Sequence, residues 1–167
     1  VAKFAGLKNT DSILGACVNN KVQNLNYRIY SPKTVEFLDI HSTTGRRIYA
    51  FSLMFMLYKA VKDLYPNKEL FIQHSMSDGY YCEIPDLQNE IEKAVVDIKS
   101  RMLQMVEENI PFGRRIVPVE EASDLFEKLG MSEKAEFIRN SNRLYANLDL
   151  LGETLNSFFF ELVPSTS

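Results

Sequence analysis

The spacing of apolar residues predicts short strands in the first third of the chain. Residues 13–18 form a compact apolar run, residues 22–25 alternate between apolar and polar side chains, and residues 35–40 form a further run of this kind. Short runs with period-two alternation are typical of β-strands. Asn19 and Asn20 lie between the first two runs and can take the positive φ of a tight turn. The pattern therefore predicts a hairpin followed by a third strand.

The periodicity becomes helical over residues 46–64. Apolar residues recur there at intervals of three and four, in two stripes: Phe51, Met54, Phe55, Tyr58, Val61 and Tyr65 in one, and Leu53, Leu57, Ala60 and Leu64 in the other. A helix that is apolar around much of its circumference is usually buried. We therefore predict a central buried helix, ended by Pro66 because proline cannot donate to the helical ladder.

The remaining residues predict alternating strands and helices. The predicted elements are a hairpin of residues 69–74 and 80–84 around a Ser77-Asp78-Gly79 turn, an amphipathic helix from Pro85 to about Glu108, a strand at 114–119, helices at 120–129 and 133–140, and strands at 144–148 and 158–163. On the long helix the predicted core face carries Leu87, Ile91, Ala94, Val95, Ile98, Met102 and Val106. The predicted fold class is α+β.

Composition narrows the function classes only slightly. The 167 residues are 46% hydrophobic and carry a net charge of −3, which gives no general attraction to nucleic acid or to an anionic membrane. No apolar stretch approaches the ~18 residues of a membrane helix. Cys17 and Cys82 are too few for a disulfide framework, which favours reduced thiols and a cytoplasmic location. Because the sequence starts at Val1 rather than Met, we expect it to be part of a longer protein.

Two local segments carry a family resemblance. Residues 60–66 (AVKDLYP) and 78–81 (DGYY) resemble segments of the N-terminal region of threonyl-tRNA synthetases, where a β-grasp module of the TGS type precedes an editing domain. The resemblance implies a partial TGS-like β-grasp module over residues 1–45. It also implies an editing-like sheet packed on the apolar helix over residues 46–167.

The resemblance also locates the positions of a metal site. The editing domains of threonyl- and alanyl-tRNA synthetases carry His-Ser-x-x-His on the helix and Cys-x-x-x-His before a Val-Pro turn. In this chain the four aligned positions are Phe51, Phe55, Phe158 and Leu162. Thiolates and imidazoles bind zinc through lone pairs, which phenylalanine and leucine lack. The resemblance therefore implies an editing scaffold without metal, catalytic or cofactor-binding residues.

A second resemblance concerns the longer protein. Residues 79–84 (GYYCEI), Pro111-Phe112 and the aromatic run before residues 163–166 (VPST) are similar to the N-terminal region of bacterial uridine kinase-like proteins. That family implies a P-loop nucleoside kinase domain C-terminal to this chain, as its partner in the same polypeptide. No GxxxxGK[ST] motif occurs in the chain itself, so ATP-dependent catalysis by this part alone is not expected. The predicted function is a non-catalytic accessory or regulatory domain.

Several alternatives stay open at this stage. Phe51, Phe55, Tyr80, Phe158 and Phe160 could line a cleft for a nucleoside or another small molecule, or they could simply be core residues. His74, Cys82 and Glu83 offer a displaced hydrolytic site, as a residual aminoacyl-ester hydrolase would need, although His41 is the only other histidine. Arg46-Arg47, Lys59-Lys62 and Arg114-Arg115 could contact RNA phosphates or form surface ion pairs, and the acidic net charge favours ion pairs.

Overall fold

The computed structural model describes residues 12–77 and 79–167, and it has the predicted α+β fold. The strands are β1 (Ile13–Val18), β2 (Lys21–Gln23), β3 (Val35–Asp39), β4 (Phe71–Met76), β5 (Gly79–Glu83), β6 (Phe112–Pro118), β7 (Tyr145–Leu151) and β8 (Thr154–Asn156). The α-helices are α1 (Thr43–Leu64), α2 (Ile91–Glu108), α3 (Val119–Lys128) and α4 (Ser132–Arg139). Asp78 of the predicted hairpin turn and the first eleven residues of the predicted β-grasp module lie outside the described residues.

These residues fall into two compact units. One comprises the described residues up to Pro111 together with Phe160–Ser167, and the other is Phe112–Phe159. The predicted division into a TGS-like module at 1–45 and an editing-like domain at 46–167 follows the family resemblance, and it stays a prediction. Within the described parts of the chain, no helix is long and apolar enough to cross a membrane.

The first sheet has the strand order β2-β1-β3, and all of its pairs are antiparallel. The tight turn between β1 and β2 consists of Asn19 and Asn20, with φ values of 46° and 64°. Two successive left-handed residues make the turn whose twist matches a two-residue hairpin. The side chain of Asn19 also accepts a hydrogen bond from the Thr34 amide at 2.9 Å. The predicted hairpin and third strand are confirmed.

Helix α1 begins at Thr43, one turn before the predicted start, because of a local cap. The Ser42 hydroxyl accepts a hydrogen bond from the Gly45 amide at 3.0 Å, as an N-cap residue does. A Cβ atom on Gly45 would lie 1.8 Å from the Asp39 carbonyl oxygen, so only glycine fits where the chain turns from β3 into the helix. The helix ends at Leu64, before Pro66, as predicted.

The predicted burial of α1 holds for only part of its length: no residue from Met54 to Lys62 is exposed, but exposed residues lie on either side of that stretch. Ile48, Phe55, Met56, Ala60 and Val61 are buried, and α1 contacts β1, β3 and α2. Of the second predicted stripe only Ala60 is buried, whereas Leu53 and Leu64 are exposed and Leu57 is half-buried. Periodicity reports which positions are apolar, but the elements that cover a helix decide which of them are buried.

Helix α2 differs from its prediction in two ways. Residues Pro85–Glu90 form a separate 3₁₀ turn, so the α-helix starts at Ile91 rather than at the proline. The side chains of Ala94, Ile98 and Met105 are buried, but Ile91, Val95 and Val106 are exposed. The buried face is thus narrower than the apolar stripe. The β4–β5 hairpin that precedes this segment is as predicted, with Ser77 in the left-handed conformation at its turn.

The second unit is a three-stranded antiparallel sheet, β6-β7-β8, with α3 and α4. Its apolar core consists of Val117, Val119, Ala122, Phe126, Ala135, Ile138 and Leu148. The strand predicted at residues 158–163 is wrong: none of these residues lies in a described strand. On the edge of β7 that faces away from β6, the pairing strand is the short β8. The Phe158 amide donates to the side chain of Asp149 instead of to a strand carbonyl.

Candidate functional site

Helix α1 carries the first two of the aligned positions one turn apart. Phe55 is completely buried, whereas Phe51 is half-buried. The ring of Phe51 stacks on the ring of Phe160, with a centroid distance of 5.7 Å and an interplanar angle of 28°. An offset stack of this kind stabilises both rings beyond their burial. The structure therefore brings together two of the residues that were predicted to line a cleft.

A buried serine joins the segment with Leu162 to the same turn of α1. The hydroxyl of Ser52, the residue after Phe51, donates to the Ile48 carbonyl at 2.7 Å and accepts from the Val163 amide at 2.9 Å. Val163 directly follows Leu162, whose side chain is buried. Phe51, Phe55 and Leu162 thus belong to one packed region of the first unit. Their side chains offer no lone pair to a metal ion.

The rest of the terminal segment is also anchored within the first unit. The amide of Thr166 donates to the Ile110 carbonyl at 3.0 Å, and the Ile110 amide donates to the Thr166 hydroxyl at 2.8 Å. That hydroxyl donates in turn to the carbonyl of Met105 at the end of α2. Pro111 and Ser165 form an isolated antiparallel bridge. Together with the bond from Val163 to Ser52, these bonds fix the backbone that follows the aligned position Leu162.

The remaining aligned residue, Phe158, belongs to the second unit, where it lies beside a buried carboxylate. Its amide donates to one oxygen of Asp149 at 2.8 Å, and the other oxygen accepts from Nε of Arg114 at 2.7 Å. The side chain of Asp149 is 1% exposed. Arg114, a candidate phosphate contact by sequence, thus pairs with a carboxylate. The proximity of Phe158 to Phe51 and Phe55 stays a prediction.

The second unit also holds a half-buried lysine that the sequence did not reveal. Lys134 donates to the side-chain oxygen of Asn156 and lies over the ring of Phe126, 5.6 Å from its centroid. Burial lowers the pKa of Lys134, while the charge of Asp149 acts in the opposite direction. In the sequence Lys134 lies in a charged segment that is typical of a solvated helix. Only the tertiary structure places it among apolar and polar partners.

The displaced hydrolytic site gains no support from the β4–β5 hairpin. His74 stacks on Tyr81 with a centroid distance of 5.5 Å, and the Glu83 carboxylate accepts from the Gln73 amide group at 2.8 Å. Burial raises the pKa of the Cys82 thiol, which disfavours the thiolate that a ligand or nucleophile needs. Within the described parts of the chain, no three His, Cys, Asp or Glu side chains are grouped as a metal site.

Tyr80 lies in a groove on another side of α1, which we call the Tyr80 groove. Its volume is about 660 Å³. It is lined by Ile40, Thr43, Arg46, Arg47, Tyr49, Ala50, Leu53, Met54 and Leu57 around α1, by Ser75, Ser77, Gly79, Tyr80 and Cys82 of the hairpin, and by Met102 of α2. Neither Phe51 nor Phe55 is among these described lining residues. The structure thus places Tyr80 apart from the other members of the predicted cleft in the first unit.

The fold is that of an α+β domain, and it is consistent with the editing-like domain of threonyl-tRNA synthetases. Its similar proteins are threonine–tRNA ligases, matched in their N-terminal region. The chain is 31% identical over 140 residues to the threonine–tRNA ligase of Clostridium kluyveri and 32% identical over 139 residues to the ligase of Desulforamulus reducens. It is 30% identical over 131 residues to the ligase of Natranaerobius thermophilus. These matches cover 84%, 83% and 78% of the chain but only 22%, 22% and 20% of the ligases. The chain therefore spans about a fifth of these relatives, and no family model matches it.

Proposed function

We propose that this chain is a non-catalytic accessory domain of the editing-like type, part of a longer protein. The observation that carries the proposal is the replacement of all four aligned ligand positions by Phe51, Phe55, Phe158 and Leu162. Phe55 and Leu162 are buried, and the Ser52 hydrogen bond holds the segment of Leu162 against α1. A region packed in this way supports a structural use of the scaffold, because it has no donor for zinc or for a hydrolytic water.

We propose further that the longer protein is a uridine kinase-like nucleoside kinase, and that this domain regulates or positions its P-loop kinase domain. The support is the similarity of residues 79–84, Pro111-Phe112 and 163–166 to that class. In this proposal the kinase domain is the partner in the same polypeptide, and a nucleoside or another small molecule is a possible ligand. No cofactor is assigned to the chain itself.

The threonine–tRNA ligases to which the chain is similar suggest a second candidate, a domain that contacts tRNA. Among the described basic pairs, Arg46-Arg47 supports it, because neither guanidinium group has a partner among the described residues, whereas the other two pairs do not. Arg114 pairs with Asp149, Lys59 pairs with Asp63 at 2.9 Å, and Lys62 donates to backbone carbonyls. A tRNA-binding domain would lose affinity steeply as salt increases, because each phosphate contact releases counterions. Salt-dependent binding of tRNA to the purified chain would favour this candidate over the kinase accessory domain.

The decisive test of the accessory role restores the aligned ligands in steps. The wild-type chain is expected to bind no stoichiometric zinc and to deacylate no mischarged threonine tRNA. The triple variant F51H/F55H/F158C is also expected to be inactive, whereas adding L162H completes a four-ligand set. Elemental analysis, deacylation assays and a thermal melt of each variant are the measurements.

One zinc ion per wild-type chain, or deacylation by it, would contradict the proposal. Zinc bound by the folded fourfold variant but not by the triple variant would support the alignment of all four positions. The regulatory role needs a separate measurement: kinase kinetics of the full-length protein with and without this domain, and calorimetry of the domain with uridine and cytidine. Unchanged kinetics and no heat would leave the domain a structural spacer.

A further inference from the structure

We propose that the Tyr80 groove binds a small molecule with a flat apolar body and a phosphate group. The proposal goes beyond the accessory role, and it requires neither the kinase partner nor the aligned editing positions. Leu57 lines the groove and Phe55 does not. Side chains that are two positions apart on an α-helix, such as those of Phe55 and Leu57, are rotated by about 200° around the helix axis. The groove and the completely buried Phe55 therefore lie on different faces of α1. The groove is thus a separate feature of the helix.

The shape and lining of the groove fit a small molecule. Its volume of about 660 Å³ is within the range of roughly 300–1,000 Å³ that is typical of ligand pockets. The middle of the α1 surface contributes the apolar side chains of Leu53, Met54 and Leu57. Tyr80, 48% exposed, and Tyr49 add aromatic rings. Apolar walls with aromatic rings provide a surface on which a flat apolar body can be buried.

Two arginines give the groove a positive charge. Arg46 and Arg47 line it next to Thr43, and the described lining includes no aspartate or glutamate. The two guanidinium groups form no hydrogen bond or ion pair with another described residue. Guanidinium groups bind phosphate oxygens through paired, charge-assisted hydrogen bonds. Two adjacent cations with hydroxyl donors nearby therefore match a dianionic phosphate better than a single carboxylate.

Stability does not account for these two arginines. They lie near the N-terminal end of α1, and the first turn of that helix contains no acidic residue. The N-terminal end of a helix carries a partial positive charge, so cations there are unfavourable. Replacing Arg46 and Arg47 with glutamine should therefore leave α1 at least as stable. This makes the R46Q/R47Q variant a clean test, because loss of binding would not reflect loss of folding.

Cys82 provides a reporter inside the groove. The chain has only two cysteines, and Cys17 does not line the groove, so the C17S variant has one thiol. The probes are 1-naphthyl phosphate, its neutral counterpart 1-naphthol, and uridine monophosphate, which tests whether the source of the chemistry is a nucleotide. The rate of Cys82 alkylation is measured with increasing probe at neutral pH, where 1-naphthol is uncharged, and labelling times are lengthened because burial raises the pKa of this thiol.

We expect 1-naphthyl phosphate to slow alkylation saturably and 1-naphthol to protect far less. R46Q/R47Q, in the C17S background, should weaken protection by about tenfold or more, since two charge-assisted contacts are lost. The matched control R143Q removes an exposed arginine of the second unit and should leave protection unchanged. Y80L should weaken binding of the aromatic body while the chain stays folded. If uridine monophosphate competes with 1-naphthyl phosphate, the groove is a nucleotide site. If it does not compete, the groove is a site for other aryl phosphates.

Three results would overturn the proposal. The first is no protection by either phosphate at millimolar concentration. The second is equal protection by 1-naphthol, or protection that R46Q/R47Q leaves unchanged. The third is protection that rises with protein concentration without any probe, because the groove would then be covered by a second copy of the chain.

Discussion

The two compact units differ in the buried groups that lie beside the aligned positions. In the first unit the buried turn of α1 beside the terminal segment is apolar, with Phe55 and Met56, and Ser52 supplies its hydroxyl to backbone groups. In the second unit a completely buried carboxylate, Asp149, accepts from Arg114 and from the Phe158 amide. The aligned ligand positions of α1 are apolar, whereas the aligned position in the second unit, Phe158, lies beside a buried charge. The first unit buries a charge elsewhere, at Lys59, which pairs with Asp63.

The difference shows what a scaffold needs to retain. The side chains of Asp149 and Ser52 both hold a backbone amide, and Ser123 donates to the Ala135 carbonyl at 3.2 Å. A buried amide or carbonyl without a partner costs free energy, so these polar side chains contribute to folding whatever the function. Metal ligands contribute to folding only when the metal is bound. Such positions can become apolar without loss of the fold.

The largest effect is expected from Phe55→Ala, which tests whether the apolar turn of α1 is core. Phe55 is completely buried, so the change should lower the free energy of unfolding by roughly 3–5 kcal/mol through lost burial and a cavity. Urea denaturation of the variant measures it. Tyr30→Ala, at a position that is 86% exposed, is the control and should change little. An unchanged unfolding midpoint for Phe55→Ala would contradict the packed arrangement.

A slightly smaller loss is expected in the second unit from Asp149→Ala. The change leaves the Arg114 guanidinium and the Phe158 amide without their carboxylate, which should cost about 3 kcal/mol. Asp124→Ala is the matched control, since Asp124 is exposed on α3. Equal stabilities of the two variants would show that the buried charge is not structural. Double variants with Arg114→Met should lose less than the sum, because the two residues interact.

The hydroxyl of Ser52 is one of the buried polar groups of the first unit, and Ser52→Ala tests its role. Without the hydroxyl, the Val163 amide loses its acceptor, which should cost about 1–2 kcal/mol. Amide hydrogen exchange should show faster exchange at Val163 while the core amides of α1 stay protected. Ser100→Ala on the exposed side of α2 is the control. Unchanged exchange at Val163 would mean that the terminal segment does not depend on Ser52.

The smallest effect concerns pH and Lys134. Burial lowers the pKa of Lys134 in the folded state below its ordinary value of 10.5, so the unfolded chain binds this proton more tightly. Its contribution to stability therefore rises with pH between the folded pKa and 10.5, and it is lost as the pH falls through the folded pKa. The free energy of unfolding of the wild type, minus that of the Lys134→Met variant, should increase as the pH rises across this window. The exposed Lys128→Met should show no such increase, and a falling difference for Lys134 would contradict the assignment.

The aligned site was only partly predictable. Its four positions are predicted through the resemblance of the segments around Phe51 and before Val163-Pro164 to a known family, and they stay a prediction. The stack of Phe51 on Phe160 and the bond from Val163 to Ser52 join residues more than a hundred positions apart, so no local pattern could reveal them. The separation of Tyr80 from the predicted cleft depends on which side of α1 the hairpin covers.

The sequence by itself determined the α+β class, helix α1, both N-terminal hairpins and the absence of lone-pair donors at the aligned positions. These features depend on local periodicity, on the left-handed turn at Asn19 and Asn20, and on residue identity. The tertiary structure alone decided that Leu53 is exposed, that residues 158–163 form no strand, and that Lys134 is half-buried with a lowered pKa. Burial and strand pairing depend on partners distant in the chain, and apolar spacing carries no record of those partners.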